Sequence, residues 1–200
     1  MSIKKTAAYF LTGIFVVVLF ACSGPQVTRV DSNEEIDLSG DWNDTDSKQV
    51  AQEMINDSFA NRWVEDYKMA NGRKPRVIIG SVLNKTEEHI STETFIKDLE
   101  RSMINSGKVT FVASKAQRAE IREERDDQAL NSRNAKKKGL ETAADFMLKG
   151  QVNSISDANS KAQIKYYQVE LELVDLETNE TVWMGQKKIK KVVSKRKYKA

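Results

Sequence analysis

From Tyr167 to Leu173 every second residue is apolar (Tyr167, Val169, Leu171, Leu173), and Gln168, Glu170 and Glu172 fill the alternate positions. A period of two sends successive side chains to opposite faces of a strand, so this segment needs one buried face and one wet face. Phe146 to Ile155 and Thr181 to Val193 flank it with further strand-like runs. Asp157-Ala158-Asn159-Ser160 and Glu177-Thr178-Asn179-Glu180 supply turn chemistry between them. Three strands joined by short turns predict an antiparallel meander. A sheet that is apolar on one face needs helices to cover that face.

The upstream chain supplies them. From Asp46 to about Met69, the residues Val50, Met54, Ile55, Phe59 and Trp63 recur at helical spacing, and Asn71-Gly72 marks the stop. Arg76 to Leu83 is a short apolar run rich in branched residues, the pattern of a strand buried on both faces. A second helix is expected from Thr92 to Ser106, with Phe95, Leu99 and Met103 on one side and Gly107 as its stop. Lys108 to Ala113 reads as another strand. Ser114 followed by Gln117 forms a capping-box pattern that opens a charged helix to about Asp127. A further short helix is expected from Asn134 to Ala144. The fold class is therefore α+β: a mixed sheet of about five strands ending in an antiparallel meander, with helices mainly on one face.

The N-terminus reads differently. Lys4 and Lys5 precede an uncharged apolar stretch from Thr6 to Ala21, and Cys22, the only cysteine, follows a small residue. Basic head, apolar core, small residue and cysteine form the pattern of a bacterial lipoprotein signal, cut before Cys22 and anchored by acyl chains. Ser23 in the next position points to the outer membrane. Residues 1–21 are then the signal, 22–45 a lipidated tether without periodicity, and 46–200 a single globular domain with a basic C-terminal tail. Fully extended, the tether reaches roughly 75 Å. With the cysteine committed to lipid, no internal disulfide is available, so the core alone holds the fold.

Catalytic patterns are missing. His89 is the sole histidine and sits in a polar stretch beside Glu87 and Glu88, with no nucleophile motif to serve. No second histidine or cysteine exists for a zinc site, and no glycine-rich phosphate loop is present. Without Lys4 and Lys5, 30 Lys and Arg face 29 Asp and Glu, so charge gives no reason to expect nucleic acid as a partner. The expectation is a non-enzymatic binding protein with no cofactor beyond the covalent lipid on Cys22. Lys187 to Lys199 is basic throughout and reads first as an edge strand protected by lysines, with attraction to an anionic surface as the alternative.

Several short motifs occur in a fixed order: Gly40-Asp41-Trp42-Asn43, Val82-Leu83-Asn84-Lys85-Thr86, Ser106-Gly107-Lys108 and Glu180-Thr181-Val182-Trp183-Met184-Gly185. Over roughly residues 40 to 190 this order resembles the LpoB family of outer-membrane lipoprotein activators of penicillin-binding proteins. The resemblance implies a periplasm-facing domain that binds a bifunctional penicillin-binding protein, reaching it through the peptidoglycan. It also implies a fold shared with the periplasmic domain of the curli secretion lipoprotein. Trp42, Asn84, Lys85 and His89 stand as candidate partner-surface residues on a monomer. The tether departs from the long, proline-rich tethers of well-known members, since it holds a single proline, Pro25. A docking module for another envelope complex is the alternative function. A curli-type channel is disfavoured because the inter-strand connections are too short to build a barrel.

Overall fold

The computed structural model describes residues 27–31, 34, 36 and 39–194; Cys22 and the signal segment lie outside them. Contacts divide the chain into Met1–Glu34 and Glu35–Ala200. In the first unit the described residues are exposed and carry no regular structure, apart from a bond from Glu34 N–H to Asp31 O at 3.1 Å. The second unit contains four helices and five strands among the described residues.

Helix α1 (Asp44–Ala60) starts where Asn43 and Asp46 cap each other, side chain to backbone N–H in both directions at 3.0 Å. It buries Val50, Ala51, Met54, Ile55 and Phe59. The expected single helix to Met69 divides here, because Asn61 is extended and the chain restarts as α2 (Trp63–Asn71). The break lets Trp63 fold back over the end of α1. Its indole N–H donates to Ser58 O at 2.9 Å, a carbonyl of the last turn that also accepts from Asn61 N–H, and its ring stacks on Phe59 and meets Phe146 edge-on. Gly72, at φ +67°, closes α2 as expected.

Strand β1 (Arg76–Lys85) pairs in parallel with β2 (Thr110–Phe111) and β3 (Phe146–Ala158), while β3, β4 (Ala162–Asp175) and β5 (Thr181–Ser194) form the antiparallel meander. The sheet order is β2-β1-β3-β4-β5. Strand β2 is shorter than the expected Lys108 to Ala113. Val109 and Val112 are buried all the same, but the chain pairs only with Arg76 and Val77 before Ser114 caps the next helix. Helix α3 (Thr92–Ser106) is capped by Ser91, ends at Gly107 and buries Phe95, Leu99 and Met103 completely.

Helix α4 (Lys115–Asn131) has the expected capping box between Ser114 and Gln117 and no buried residue. Arg122 and Arg125 tie it to Glu141 at 2.7 to 3.1 Å. The helix expected from Asn134 to Ala144 does not form: three lysines and a glycine at φ +77° stand in its middle, and the stretch has almost nothing apolar to bury. The segment serves instead through its carboxylates.

Asp145 follows directly and is more buried than Glu141. It receives both arms of Arg73 at 2.7 and 2.8 Å and the backbone N–H of Arg76 at 2.8 Å, while Arg73 lies over the Tyr67 ring. Burial pushes the Asp145 carboxyl up, but these donors outweigh it and hold it at about 2. A folded value below the unfolded one contributes stability above about pH 4 that disappears as pH falls through about 2. Asp145→Asn should therefore cost about 2 kcal/mol at pH 7, with the gap to the native chain closing between pH 4 and 2. Urea titrations across that range test this; a gap that does not change with pH would refute the assignment.

Helices α1 and α3 cover one face of the sheet. Along α1, Asp46, Glu53 and Asp57 meet Lys191, Lys187 and the Trp183 indole of β5 in antiparallel order. The edge strand is thus fastened to the first helix. The core lies between, with Val77, Leu148, Val152, Val169, Leu171 and Leu173 from the sheet each at most 1% exposed.

Candidate functional site

The C-terminal end of β1 and the start of α1 converge on one loop. Beyond Lys85 the chain makes a tight turn: Asn84 Oδ1 accepts from the backbone N–H of Thr86 at 2.9 Å, and Asn84 Nδ2 donates to the carbonyl of Glu88 at 2.8 Å. Thr86 Oγ1 in turn accepts from Glu88 N–H at 3.1 Å. An asparagine at the end of a strand thereby shapes the loop that leads through buried Ile90 to the Ser91 cap of α3.

This turn aims the Glu88 carboxylate inward. Oε1 accepts from Tyr167 Oη at 2.6 Å and from Lys165 Nζ at 2.8 Å, and Oε2 accepts from the backbone N–H of Trp42 at 3.2 Å. Lys165 also pairs with Asp41, while Lys191 donates to Asp46 at 2.6 Å and to the carbonyl of Asp41 at 3.1 Å. Burial, then the bond to Glu88 and its charge, push the Tyr167 hydroxyl far above its ordinary value, so it remains a neutral donor.

Residues 40–43, inside the expected tether, lie against the domain. The Trp42 ring meets Phe95 and Tyr167 edge-on, with centroids 6.0 and 5.7 Å apart. Gly40 has φ +74°, and a Cβ there would lie 2.3 Å from Val193, so only glycine fits this close approach without strain.

Of the residues selected from sequence, Trp42 and Asn84 are therefore brought together, through Glu88. The side chains of Lys85 and His89 are exposed and make no hydrogen bond or ion pair among the described residues. Sequence reasoning missed Glu88, Lys165, Tyr167 and Asp41 as a group. One signal was present: Lys165 and Tyr167 share the parity of the buried row Val169, Leu171 and Leu173, which places a charged and a hydroxyl group on the helix side of β4. Chemically the cluster is closed. Its carboxylates are occupied by lysines and N–H or O–H donors, and no group of three His, Cys, Asp or Glu able to hold a metal occurs among the described residues. It holds residues 40–43 and the loop after β1 in place.

Residues 46–189 match the family model described as peptidoglycan-synthase activator LpoB. The chain belongs to the LpoB family. The LpoB match opens in the first turn of α1 and closes within β5, so it spans every element between them. Similar solved structures include the LpoB C-terminal domain from Escherichia coli, at 18% identity and TM-score 0.41, covering 72% of this chain and 98% of that one. The NMR structure of E. coli LpoB gives 16% identity and TM-score 0.42, with 88% and 87% covered. The Salmonella enterica LpoB C-terminal domain gives 19% identity and TM-score 0.35, with 63% and 91% covered. With scores this low, membership in LpoB rests on the family model alone. No curated protein sequence matches the chain. Among the described residues, no helix is long and apolar enough to cross a membrane.

Proposed function

We propose that this chain is an outer-membrane lipoprotein, lipidated on Cys22, whose folded domain binds a bifunctional penicillin-binding protein and shifts it toward its active state without performing chemistry itself. The observation that carries the reading is the LpoB family match across the whole sheet and its helices. The signal pattern from Lys4 to Cys22 supports the anchor, and the closed Glu88 cluster supports a binding role over catalysis. With residues 40–43 packed on the domain, residues 22–39 then limit reach: the folded domain must begin within roughly 60 Å of the anchored cysteine, even with the tether fully extended.

The test is addition of the purified domain, residues 35 to 200, which keeps the packed Trp42 and the Asn43 cap, to the organism's own bifunctional synthase. Stoichiometric binding and a several-fold rise in glycan polymerisation are expected. No binding and no change in rate would sink the activator role. Metabolic labelling with an alkyne fatty acid tests the anchor separately, since Cys22→Ser should abolish incorporation.

A further inference from the structure

The lysines of β5 divide by parity. Lys187 and Lys191 point to the helix side and are paired with Glu53 and Asp46. Lys188 and Lys190 point to the opposite, open face and form no ion pair among the described residues. β5 is an edge strand of the sheet, as expected, and its solvent-facing lysines discourage edge-to-edge pairing, but edge protection does not account for the apolar residues beside them.

The open face beside them is apolar. In register, Ile155 faces Tyr166, Ile164 faces Val192, and Tyr166 faces Lys190. Directly opposed residues on a sheet lie about 5 Å apart, so Ile155, Tyr166, Ile164 and Val192 adjoin in one patch. Ile155 is 67% exposed and Val192 64% exposed. Lys188 and Lys190 border it on β5, and Lys85 lies on the same face across Asn153 and Gln168. Ile164 and Tyr166 are half-buried between Ile155 and Val192, and a continuous apolar patch rimmed by solvent-facing charge marks an interaction surface. With strands of 13 and 14 residues, the whole three-stranded face measures roughly 45 by 15 Å, just under the roughly 800 Å² that each partner contributes to a standard interface, and the patch forms its end beside the β3–β4 turn.

We infer that the patch of Ile155, Ile164, Tyr166 and Val192, with Lys188 and Lys190, docks an acidic, partly apolar protein surface. On the activator reading above, on which this rests, that surface belongs to the synthase. The rim lysines select for acidic groups, and the β-branched centre supplies desolvated contact area. An anionic bilayer fits less well. The face also carries Asp157, Glu170 and Glu172, which a uniform layer of anionic headgroups would meet together with the lysines, whereas a protein surface can set acidic groups against the lysines and neutral or basic groups against these carboxylates.

The experiment compares the full chain with Lys188→Glu/Lys190→Glu, with Val192→Asp, and with a control of equal charge change, Lys115→Glu/Lys136→Glu, on exposed sites away from the sheet. Thermal melts establish that each is folded. Affinity for the organism's synthase is read at two salt concentrations, and flotation is read with phosphatidylglycerol–phosphatidylcholine vesicles. Both open-face variants should lose about tenfold or more in affinity, the control should stay within about twofold, and native binding should weaken with salt. Open-face variants that bind like the native chain would overturn the docking surface and leave the activator reading standing. Equal losses in the control and the open-face pair, or open-face variants that lose only vesicle flotation, would overturn it too. A native chain that binds no synthase overturns the activator reading and this surface with it.

Discussion

Replacing Trp183 with alanine lowers the unfolding free energy of the domain by about 4 kcal/mol, among the largest losses any single side chain here should produce. Trp183 is 5% exposed and its indole N–H donates to Asp57 Oδ2 at 3.0 Å. Its ring occupies the space that a side chain at position 185 would need: a Cβ on Gly185 would lie 2.2 Å from it. Across the sheet it is registered with Leu173, which is fully buried. Truncation therefore opens a void between β5 and α1 and leaves Asp57 without its donor. A urea titration should show the midpoint falling with an unchanged slope. Trp183→Phe should recover most of the packing and stay about 1 kcal/mol short, the net value of the lost hydrogen bond. A loss below about 1 kcal/mol for the alanine variant would contradict the packing of β5 on α1.

Glu88→Ala should cost about 3 kcal/mol, because one carboxylate satisfies three groups from three parts of the chain. Its removal leaves the largely buried ammonium of Lys165 with only exposed Asp41, and strips the Tyr167 hydroxyl of its shortest partner. The Trp42 backbone N–H also loses its acceptor, which loosens the fit of the Trp42 ring on Phe95. Two readouts separate this from a generic loss of stability. Trp42 should become more accessible to acrylamide quenching in the folded variant, judged against a Trp42→Phe background, and hydrogen exchange should rise in residues 86–91. Glu88→Gln should retain part of both, since an amide oxygen still accepts. Unchanged quenching and exchange would show that Glu88 does not organise this corner.

The meander was legible because a period of two over a long segment leaves few alternatives, and Asn159 and Asp175 then bond backbone N–H groups in the turns on either side of β4. The capping boxes at Asn43 and Ser114 and the glycine stops at Gly72 and Gly107 are local chemistry, and α3 follows its apolar spacing from end to end. What periodicity does not encode is where a helix must bend to return a side chain to a distant partner. Trp63 continues the apolar stripe of α1, yet its ring is wanted against Phe146, so the helix breaks at Asn61. The same blindness to distant partners hid the candidate site. Trp42 and Asn84 stand out singly, but Glu88 becomes their meeting point only after β4 delivers Lys165 and Tyr167. The basic C-terminal strand was ambiguous for another reason. Composition counts its lysines together, whereas strand parity sends Lys187 and Lys191 to structural pairs and leaves Lys188 and Lys190 on the open face.

The parallel pairing of β1 with β3 has a consequence for the order of events during synthesis. Each strand of the meander finds its neighbour across a short turn, but β1, from Arg76 to Lys85, must wait until α3, β2 and α4 have been made before Phe146 to Asn153 can lie beside it. Closing so long a loop is slow relative to forming a hairpin. During that interval Val77, Ile78, Ile79 and Val82, all buried in the finished sheet, are an apolar strand without its main neighbour.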